Sequence, residues 1–266
     1  MDDRPIAVFD SGAGGLTVAS EILRRLPGED ILYLGDTARV PYGTRSVDTI
    51  VRYALECVRF LLRHDPKALV VACNTVSAIA LEPIAAICPV PIIDVVKPGA
   101  RAAADFTRSG RIGVVATEAT VRSGAYRRRI LELRPGAEVF ESPAPLLVPI
   151  AEEGWRLDGP VVAGALDRYL EPLRKARVDV IVLGCTHYPL LKPAFRAAAG
   201  DDVFLVDSAE ETGEALSQAL RQRGWVRPAV RVPRRRFLVT DNPERFQALG
   251  ARFLWDRTLE VEQVAL

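Results

Sequence analysis

The chain has 266 residues, 49% of them hydrophobic and 26% charged, with a formal net charge of +1. This length can bury a large core, and the composition is that of a soluble globular protein. The near-zero charge argues against nucleic-acid binding, since the short basic run Arg231, Arg234, Arg235 and Arg236 is more typical of a solvated turn. No apolar run reaches the ~20 residues of a membrane span, and residues 6–9 already predict a strand rather than a signal peptide.

The four cysteines are Cys57, Cys73, Cys88 and Cys185, and they show no close pairing. Such spacing suits a reducing cytoplasm better than a disulfide framework, so we expect a cytoplasmic protein. Cys57 lies on an apolar helix face and Cys88 precedes a proline at a helix end. We interpret these two as inert buried thiols.

Short β-branched runs alternate with helical patterns along the chain, which is typical of parallel α/β sheets. In the first half, strands are predicted at 6–9, 31–34, 68–72 and 91–94, and helices at 16–26, 46–64, 75–87 and 100–107. In the second half, strands are predicted at 111–116, 139–142, 180–183 and 203–206, and helices from 121 and at 151–155, 161–176 and 191–199. The tail predicts a helix at 210–223, a strand at 236–240 and a helix at 243–253.

The two halves repeat each other. In each half, a buried strand ends at a cysteine, and a threonine lies one or two positions after that cysteine. The two cysteines, Cys73 and Cys185, are 112 positions apart. Asp94 and Asp207 follow them at a matching separation of 113. We therefore predict an α/β fold of two pseudo-symmetric domains with mostly parallel sheets. The active site would lie in the cleft between them, with one cysteine on each wall.

A thiol at a strand end, before a helix N-terminus, has its thiolate favoured by the helix dipole. Two such thiols across a cleft suit the inversion of a stereocentre, in which one group removes a proton and the other returns one from the opposite face. This chemistry belongs to a racemase or epimerase without a cofactor. A zinc site at Cys73, Cys185 and His187 is an alternative, but no C-x-x-C pair supports it. A redox disulfide between the two cysteines lacks a nearby resolving thiol.

The glycine-rich segment at 12–15 follows the first predicted strand. It lacks the lysine of a phosphate-binding loop and the complete G-x-G-x-x-G spacing. We interpret it as a strand-to-helix turn that directs N–H groups at a substrate carboxylate, with phosphate binding as the alternative.

Several motifs together resemble the glutamate racemases of the aspartate/glutamate racemase superfamily. These are Asp10-Ser11-Gly12-x-Gly14-Gly15, Gly35-Asp36-Thr37-Ala38-Arg39-Val40-Pro41-Tyr42-Gly43, Ala72-Cys73-Asn74-Thr75 and Gly184-Cys185-Thr186-His187-Tyr188-Pro189. The likeness covers essentially the whole chain. It implies one domain at 1–98 plus 207–266, a second at 99–206, and a homodimer. It also implies glutamate as a small-molecule substrate, no cofactor, no metal, and a role in supplying D-glutamate for peptidoglycan.

The resemblance also implies residue roles. Cys73 would deprotonate D-glutamate and Cys185 L-glutamate, with Asp10, His187 and Glu152 as supporting acids and bases. For Glu152 the alternative is an exposed glutamate at a helix start. Substrate contacts carried over from the family are Asp10, Ser11, Pro41, Tyr42, Gly43, Asn74, Thr75, Thr117, Thr120 and Thr186.

Three positions depart from the family pattern: Asp94 replaces an expected glycine, and Ala144 and Ala151 replace larger residues. None lies in the cysteine motifs, so we expect them to affect local packing or hinge behaviour rather than the reaction. The short segment before the first predicted strand leads us to expect no N-terminal extension of the kind through which some family members respond to a peptidoglycan precursor.

Overall fold

The computed structural model describes residues 2–229, 232–254 and 259–266. Arg231 of the basic run lies outside these ranges. Within them, no helix combines the length and apolarity needed to cross a membrane.

The central strands of the first sheet are apolar runs that are buried on both faces, as parallel strands require. Its strands are β1 (Ile6–Asp10), β2 (Ile31–Gly35), β3 (Ala68–Val71), β4 (Ile92–Asp94), β9 (Arg235–Val239) and β10 (Val261–Gln263). Their order is β10-β9-β2-β1-β3-β4, and every pairing is parallel.

The second sheet contains the strands of the middle of the chain. These are β5 (Arg111–Ala116), β6 (Glu138–Pro143), β7 (Val180–Gly184) and β8 (Phe204–Asp207), in the parallel order β6-β5-β7-β8. The predicted α/β class with two mostly parallel sheets is confirmed. The division at residues 98 and 206 stays a prediction.

Helices cover both faces of each sheet. They are α1 (Leu16–Arg25), α2 (Val47–Leu62), α3 (Asn74–Ile79), α4 (Leu81–Ile87), α5 (Val96–Phe106), α6 (Glu118–Ser123), α7 (Ala125–Leu133), α8 (Leu147–Glu153), α9 (Pro160–Lys175), α10 (Lys192–Ala199), α11 (Ser208–Gln222) and α12 (Pro243–Phe253). Short 3-10 turns occupy Thr37–Arg39, Tyr42–Thr44 and Tyr188–Leu191. Helices α1, α11 and α12 contribute to the core on one face of the first sheet, and α2, α3 and α4 to the core on the other.

Some local predictions were wrong. The helix expected at 75–87 is two helices separated at Ala80, and the helix expected from 151 is α8, which begins at Leu147. Leu147 and Ile150 are buried in the core beside the second sheet, so burial extends the helix backwards. Strand β10 was not predicted, because three residues of sequence carry little periodicity.

Asp94, the expected glycine, has a structural role. Its buried Oδ1 accepts hydrogen bonds from the backbone N–H groups of Val96 (3.0 Å) and Lys97 (2.9 Å), at the start of α5. These N–H groups have no partner within the helix, so the carboxylate stabilises its first turn.

Candidate active site

The carboxyl ends of strands from both sheets line one cavity of about 220 Å³. Ser11 directly follows β1, Thr117 follows β5, and Cys185 follows β7, while Cys73 lies just beyond β3. The cavity is lined by twelve of the residues predicted for the site: Ser11, Pro41, Tyr42, Gly43, Cys73, Asn74, Thr75, Thr117, Glu152, Cys185, Thr186 and His187. Asp10 and Thr120, also predicted, are buried but do not line it.

Cys73 occupies the N-cap position of α3 and is only 6% exposed. Its Sγ lies 3.3 Å from Ser11 Oγ. Burial raises the pKa of the Cys73 thiol to about 12, and the nearby Asp10 charge adds to the effect. The thiol form of Cys73 is therefore favoured at neutral pH.

Asp10 is the last residue of β1 and lies two positions before the glycine-rich segment at 12–15. Its Oδ2 accepts a hydrogen bond of 2.8 Å from Gly12 N–H, while Oδ1 is buried without a hydrogen-bond partner among the described residues. Burial raises the pKa of this carboxyl, and the positive charge of His187 opposes that rise. The Gly12 N–H is thus already used by Asp10, although we expected this segment to direct its N–H groups at the substrate.

Cys185 is 5% exposed and faces His187, whose Nδ1 lies 3.8 Å from its Sγ. The other ring nitrogen, Nε2, lies 3.0 Å from Glu152 Oε1. Burial lowers the pKa of His187, but the interactions with Cys185 and Glu152 outweigh it and raise that pKa to about 10. The hydrogen bond to His187 in turn lowers the pKa of Glu152. The row Cys185–His187–Glu152 therefore stabilises an imidazolium beside the thiol.

Glu152 does not lie at a helix start. It lies in the last turn of α8, where the helix dipole disfavours a negative charge. Helix α12 offsets this: Arg245 Nη2 lies 3.3 Å from Glu152 Oε2, and Arg252 Nη1 donates to the Glu152 carbonyl oxygen at 2.6 Å. Two arginines from α12 thus hold Glu152 against His187.

Threonine hydroxyl groups from α3, from α6 and from the residue that follows β5 meet beside the cavity. Thr75 Oγ1 lies 3.0 Å from Thr117 Oγ1 and 3.4 Å from Thr120 Oγ1, and Thr117 and Thr120 are 2.9 Å apart. Because Thr120 lies behind the other two, it can orient their hydroxyl groups without lining the cavity.

A buried carboxylate that we did not predict holds the loop around Tyr42. Asp36 accepts hydrogen bonds from the Tyr42 hydroxyl, from Arg39 Nε at 2.6 Å and from Thr240 Oγ1 at 2.9 Å, and it is fully buried. Its position directly after β2 was a signal that could have identified it.

The glycine-rich segment also contacts the second cysteine loop, which the sequence did not indicate. A methyl group on Gly14 would lie 2.3 Å from Thr186 Oγ1 and 2.5 Å from His187 Cε1. Nearby, Thr17 Oγ1 donates to the Thr186 carbonyl oxygen at 2.9 Å. These contacts fix the Cys185 loop against α1.

Residues 12–216 match the family model for the Asp/Glu/Hydantoin racemases. A glutamate racemase from Geobacter metallireducens is 49% identical over all of this chain and 98% of its own. The chain belongs to the glutamate racemase family. Among solved structures of the family, a glutamate racemase isoform from Bacillus anthracis covers 100% of this chain and 99% of its own, with 40% identity and a TM-score of 0.95. A glutamate racemase from Francisella tularensis, solved in complex with D-glutamate, covers 100% and 98%, with 37% identity and a TM-score of 0.93.

Within this glutamate racemase fold, the cavity offers proton-transfer groups on two sides and many short hydrogen-bond donors. Among the described residues, no group of three or more His, Cys, Asp or Glu side chains is arranged to hold a metal ion. Cys57 lies in α2 with its side chain buried in the core, and Cys88 caps the C-terminus of α4. Neither lines the cavity, so Cys73 and Cys185 are the thiols available for chemistry there.

Proposed function

We propose that the protein interconverts L- and D-glutamate by proton transfer at Cα, with Cys73 and Cys185 as the acid–base pair and no cofactor. The observation that carries this proposal is that one thiol after β3 and one after β7 line the same small cavity. The family relationship supports glutamate as the substrate, because similar proteins along the full chain are named glutamate racemases.

In the proposed reaction, the Cys73 thiolate removes the Cα proton of D-glutamate while the Cys185 thiol donates a proton to the opposite face. The products are L-glutamate, a Cys73 thiol and a Cys185 thiolate, and the roles reverse for L-glutamate. The raised pKa of Cys73 means that its thiolate needs support. A substrate ammonium in the cavity supplies a positive charge, which lowers a thiol pKa.

We assign Asp10 to the Cys73 side and His187, with Glu152, to the Cys185 side. After a turnover from D- to L-glutamate, the favoured imidazolium of His187 can return a proton to the Cys185 thiolate. Solvent then supplies a proton to His187 and accepts one from the Cys73 thiol. Asp10 contributes negative charge next to Cys73, where it also favours an ammonium group. Cys73 therefore has the negative charge of Asp10 beside it, whereas Cys185 has the positive charge of His187 beside it, although the two thiols have matching roles.

The remaining polar groups are proposed to bind the two carboxylates of the substrate. Short donors also stabilise the enolate-like charge that develops when the Cα proton leaves. The proposed contacts are Ser11, Pro41, Tyr42, Gly43, Asn74, Thr75, Thr117, Thr120 and Thr186. Pro41 has no N–H group and contributes an apolar contact only, and Thr120 acts through its neighbours.

The cellular setting follows from the same proposal. We place the enzyme in the cytoplasm as a homodimer that supplies D-glutamate for peptidoglycan synthesis. We also propose a domain at 1–98 plus 207–266, which contains every strand of the first sheet, and a domain at 99–206, which contains β5–β7 and most of β8.

Circular dichroism of L- and D-glutamate, without added cofactor, tests the function directly. We expect the wild type to racemise both enantiomers and to exchange the Cα hydrogen in D₂O. Cys73→Ser and Cys185→Ser should each lose racemisation by roughly 10²-fold or more, while Cys88→Ser, which alters a thiol outside the cavity, should retain it. Glutamate binding without Cα exchange would instead indicate a carboxylate-binding protein. A requirement for only one cysteine would overturn the two-base mechanism.

A further inference from the structure

The side chain of Asn74 carries an unused hydrogen-bond donor at the cavity. Asn74 is 2% exposed and lines the cavity directly beside Cys73. Its Oδ1 accepts a hydrogen bond of 2.7 Å from the Tyr126 hydroxyl. Its Nδ2 is buried and has no hydrogen-bond partner among the residues that the structure describes.

Tyr126 is itself held in place. It lies in α7, is 1% exposed, and its ring packs against the backbone of Gly99 and Gly184, where an added methyl group would lie 3.4 Å and 3.2 Å from ring or hydroxyl atoms. The Val95 carbonyl oxygen is a second acceptor at 3.5 Å, much farther than Asn74 Oδ1. Burial raises the pKa of Tyr126, so its hydroxyl keeps its proton.

These contacts determine which end of the amide points towards the cavity. A tyrosine hydroxyl that donates to Oδ1 leaves the NH₂ group of the amide without that partner. A buried donor without an acceptor destabilises the protein, and a ligand oxygen can offset this cost. A carboxylate is the natural acceptor, because a hydrogen bond to a charged oxygen is stronger than a neutral one.

We propose that Tyr126 is a positioning residue that fixes the Asn74 amide so that Nδ2 donates to a carboxylate of the substrate. Tyr126 reaches no substrate itself and acts through Asn74. The inference rests on the proposed function, because it takes the ligand to be a dicarboxylic amino acid.

Tyr126→Phe removes only the hydroxyl and leaves the packed ring. We expect the dissociation constant of the equilibrated D/L-glutamate mixture, measured by calorimetry, to rise roughly 5- to 20-fold. KM should rise in parallel while kcat changes by no more than about threefold. Tyr188→Phe is the matched control, because it deletes a buried hydroxyl that donates to the Ala144 carbonyl at 2.8 Å outside the cavity lining. It should leave KM unchanged, and an equal rise in KM in both variants would overturn the inference.

A double-mutant cycle separates this role from general support of the fold. If Tyr126 acts through Asn74, then Tyr126→Phe should have no further effect on glutamate affinity in an Asn74→Ala background. Additive losses in the double variant would mean that Tyr126 acts by another route and would refute the proposal.

Asn74→Asp tests the amide orientation even if Tyr126→Phe fails to fold. With Tyr126 donating to one oxygen, the other carboxylate oxygen would face the substrate carboxylate, so affinity should fall about 100-fold or more. Unchanged or tighter binding would show that Asn74 presents an acceptor, which contradicts the proposal.

A wild type that neither binds nor racemises glutamate would refute the proposed function, whereas an active wild type with an unaltered Tyr126→Phe would refute only this inference.

Discussion

His187 Nε2 lies 3.0 Å from Glu152 Oε1, and this contact connects the Cys185 loop to the last turn of α8. The opposite ring nitrogen faces Cys185 Sγ at 3.8 Å. The imidazole therefore has a carboxylate on one side and a thiol on the other, an arrangement that orients the ring and stabilises its charged form.

Glu152→Gln should weaken catalysis by changing His187 rather than Cys185 directly. Without the carboxylate, the pKa of His187 falls, and the imidazolium is lost at a lower pH. We expect kcat to decrease roughly 10- to 100-fold and the alkaline limb of the pH–rate profile to move to lower pH. Glu153→Gln, at the exposed neighbouring position, is the control. Identical profiles for both variants and the wild type would refute a role for Glu152.

The raised pKa of His187 also predicts how stability depends on pH. This pKa rises from 6.5 to about 10, so the folded protein holds the proton more tightly than the unfolded chain does. The resulting stabilisation is complete below pH 6.5 and is lost as the pH rises through about 10. At low pH the wild type should have a larger free energy of unfolding than His187→Asn, and this difference should shrink as the pH rises from 6.5 to about 10. The decrease is about 1.4 kcal/mol for every tenfold difference in proton affinity between the folded and unfolded states.

Denaturant unfolding near pH 6, 8 and 10 measures that difference. His64→Asn is the matched control, because burial lowers the pKa of His64 and the positive charge of Arg236 adds to this effect. Protonating His64 therefore costs the folded state free energy, and its contribution becomes less favourable as the pH falls through 6.5. A His187→Asn difference that stays constant from pH 6 to 10 would contradict the assignment of a raised pKa.

Gly14→Ala should disrupt the contact between α1 and the Cys185 loop. The added methyl group would lie 2.3 Å from Thr186 Oγ1 and 2.5 Å from His187 Cε1, so the loop that carries both residues must move. We expect kcat/KM to fall by at least about tenfold, since small displacements of catalytic groups are costly. Gly164→Ala, in α9, meets nothing within 4 Å and should stabilise the protein by about 0.5–1 kcal/mol without affecting activity. Full activity in Gly14→Ala would show that the loop tolerates the shift.

The sequence could predict the cysteines because the carboxyl ends of parallel strands meet at one edge of a sheet. A short apolar run precedes each of Cys73, Cys185 and Thr117. Such a run is recognisable as a strand from its own sequence, without knowing which strands it pairs with. The helix around Glu152 was placed too late, since its extent depends on burial against the second sheet. Propensity alone does not report such tertiary contacts.

Contacts across long sequence separations could not be predicted. Thr17 donates to the Thr186 carbonyl across 169 positions, and Tyr126 reaches Asn74 across 52. Neither pair follows a periodic pattern, and a single sequence carries no sign of which side chains will meet between elements. Asp36 was predictable only in part. The sequence shows its position directly after β2, but it does not show the three side chains that donate hydrogen bonds to it.

Asp36→Asn should reduce both stability and substrate affinity. The buried carboxylate accepts hydrogen bonds from Tyr42, Arg39 and Thr240, and an amide nitrogen at this site would face a donor instead. We expect the free energy of unfolding to fall by about 1–3 kcal/mol, and KM for glutamate to rise roughly tenfold, because the Tyr42 loop lines the cavity. Denaturant unfolding and steady-state kinetics measure the two effects, with the exposed Asp201→Asn as control. A displaced Tyr42 must alter the cavity wall, so positioning of the loop by Asp36 requires a change in KM. A loss of stability with unchanged KM would mean that Asp36 supports the core beside α2 without positioning the loop.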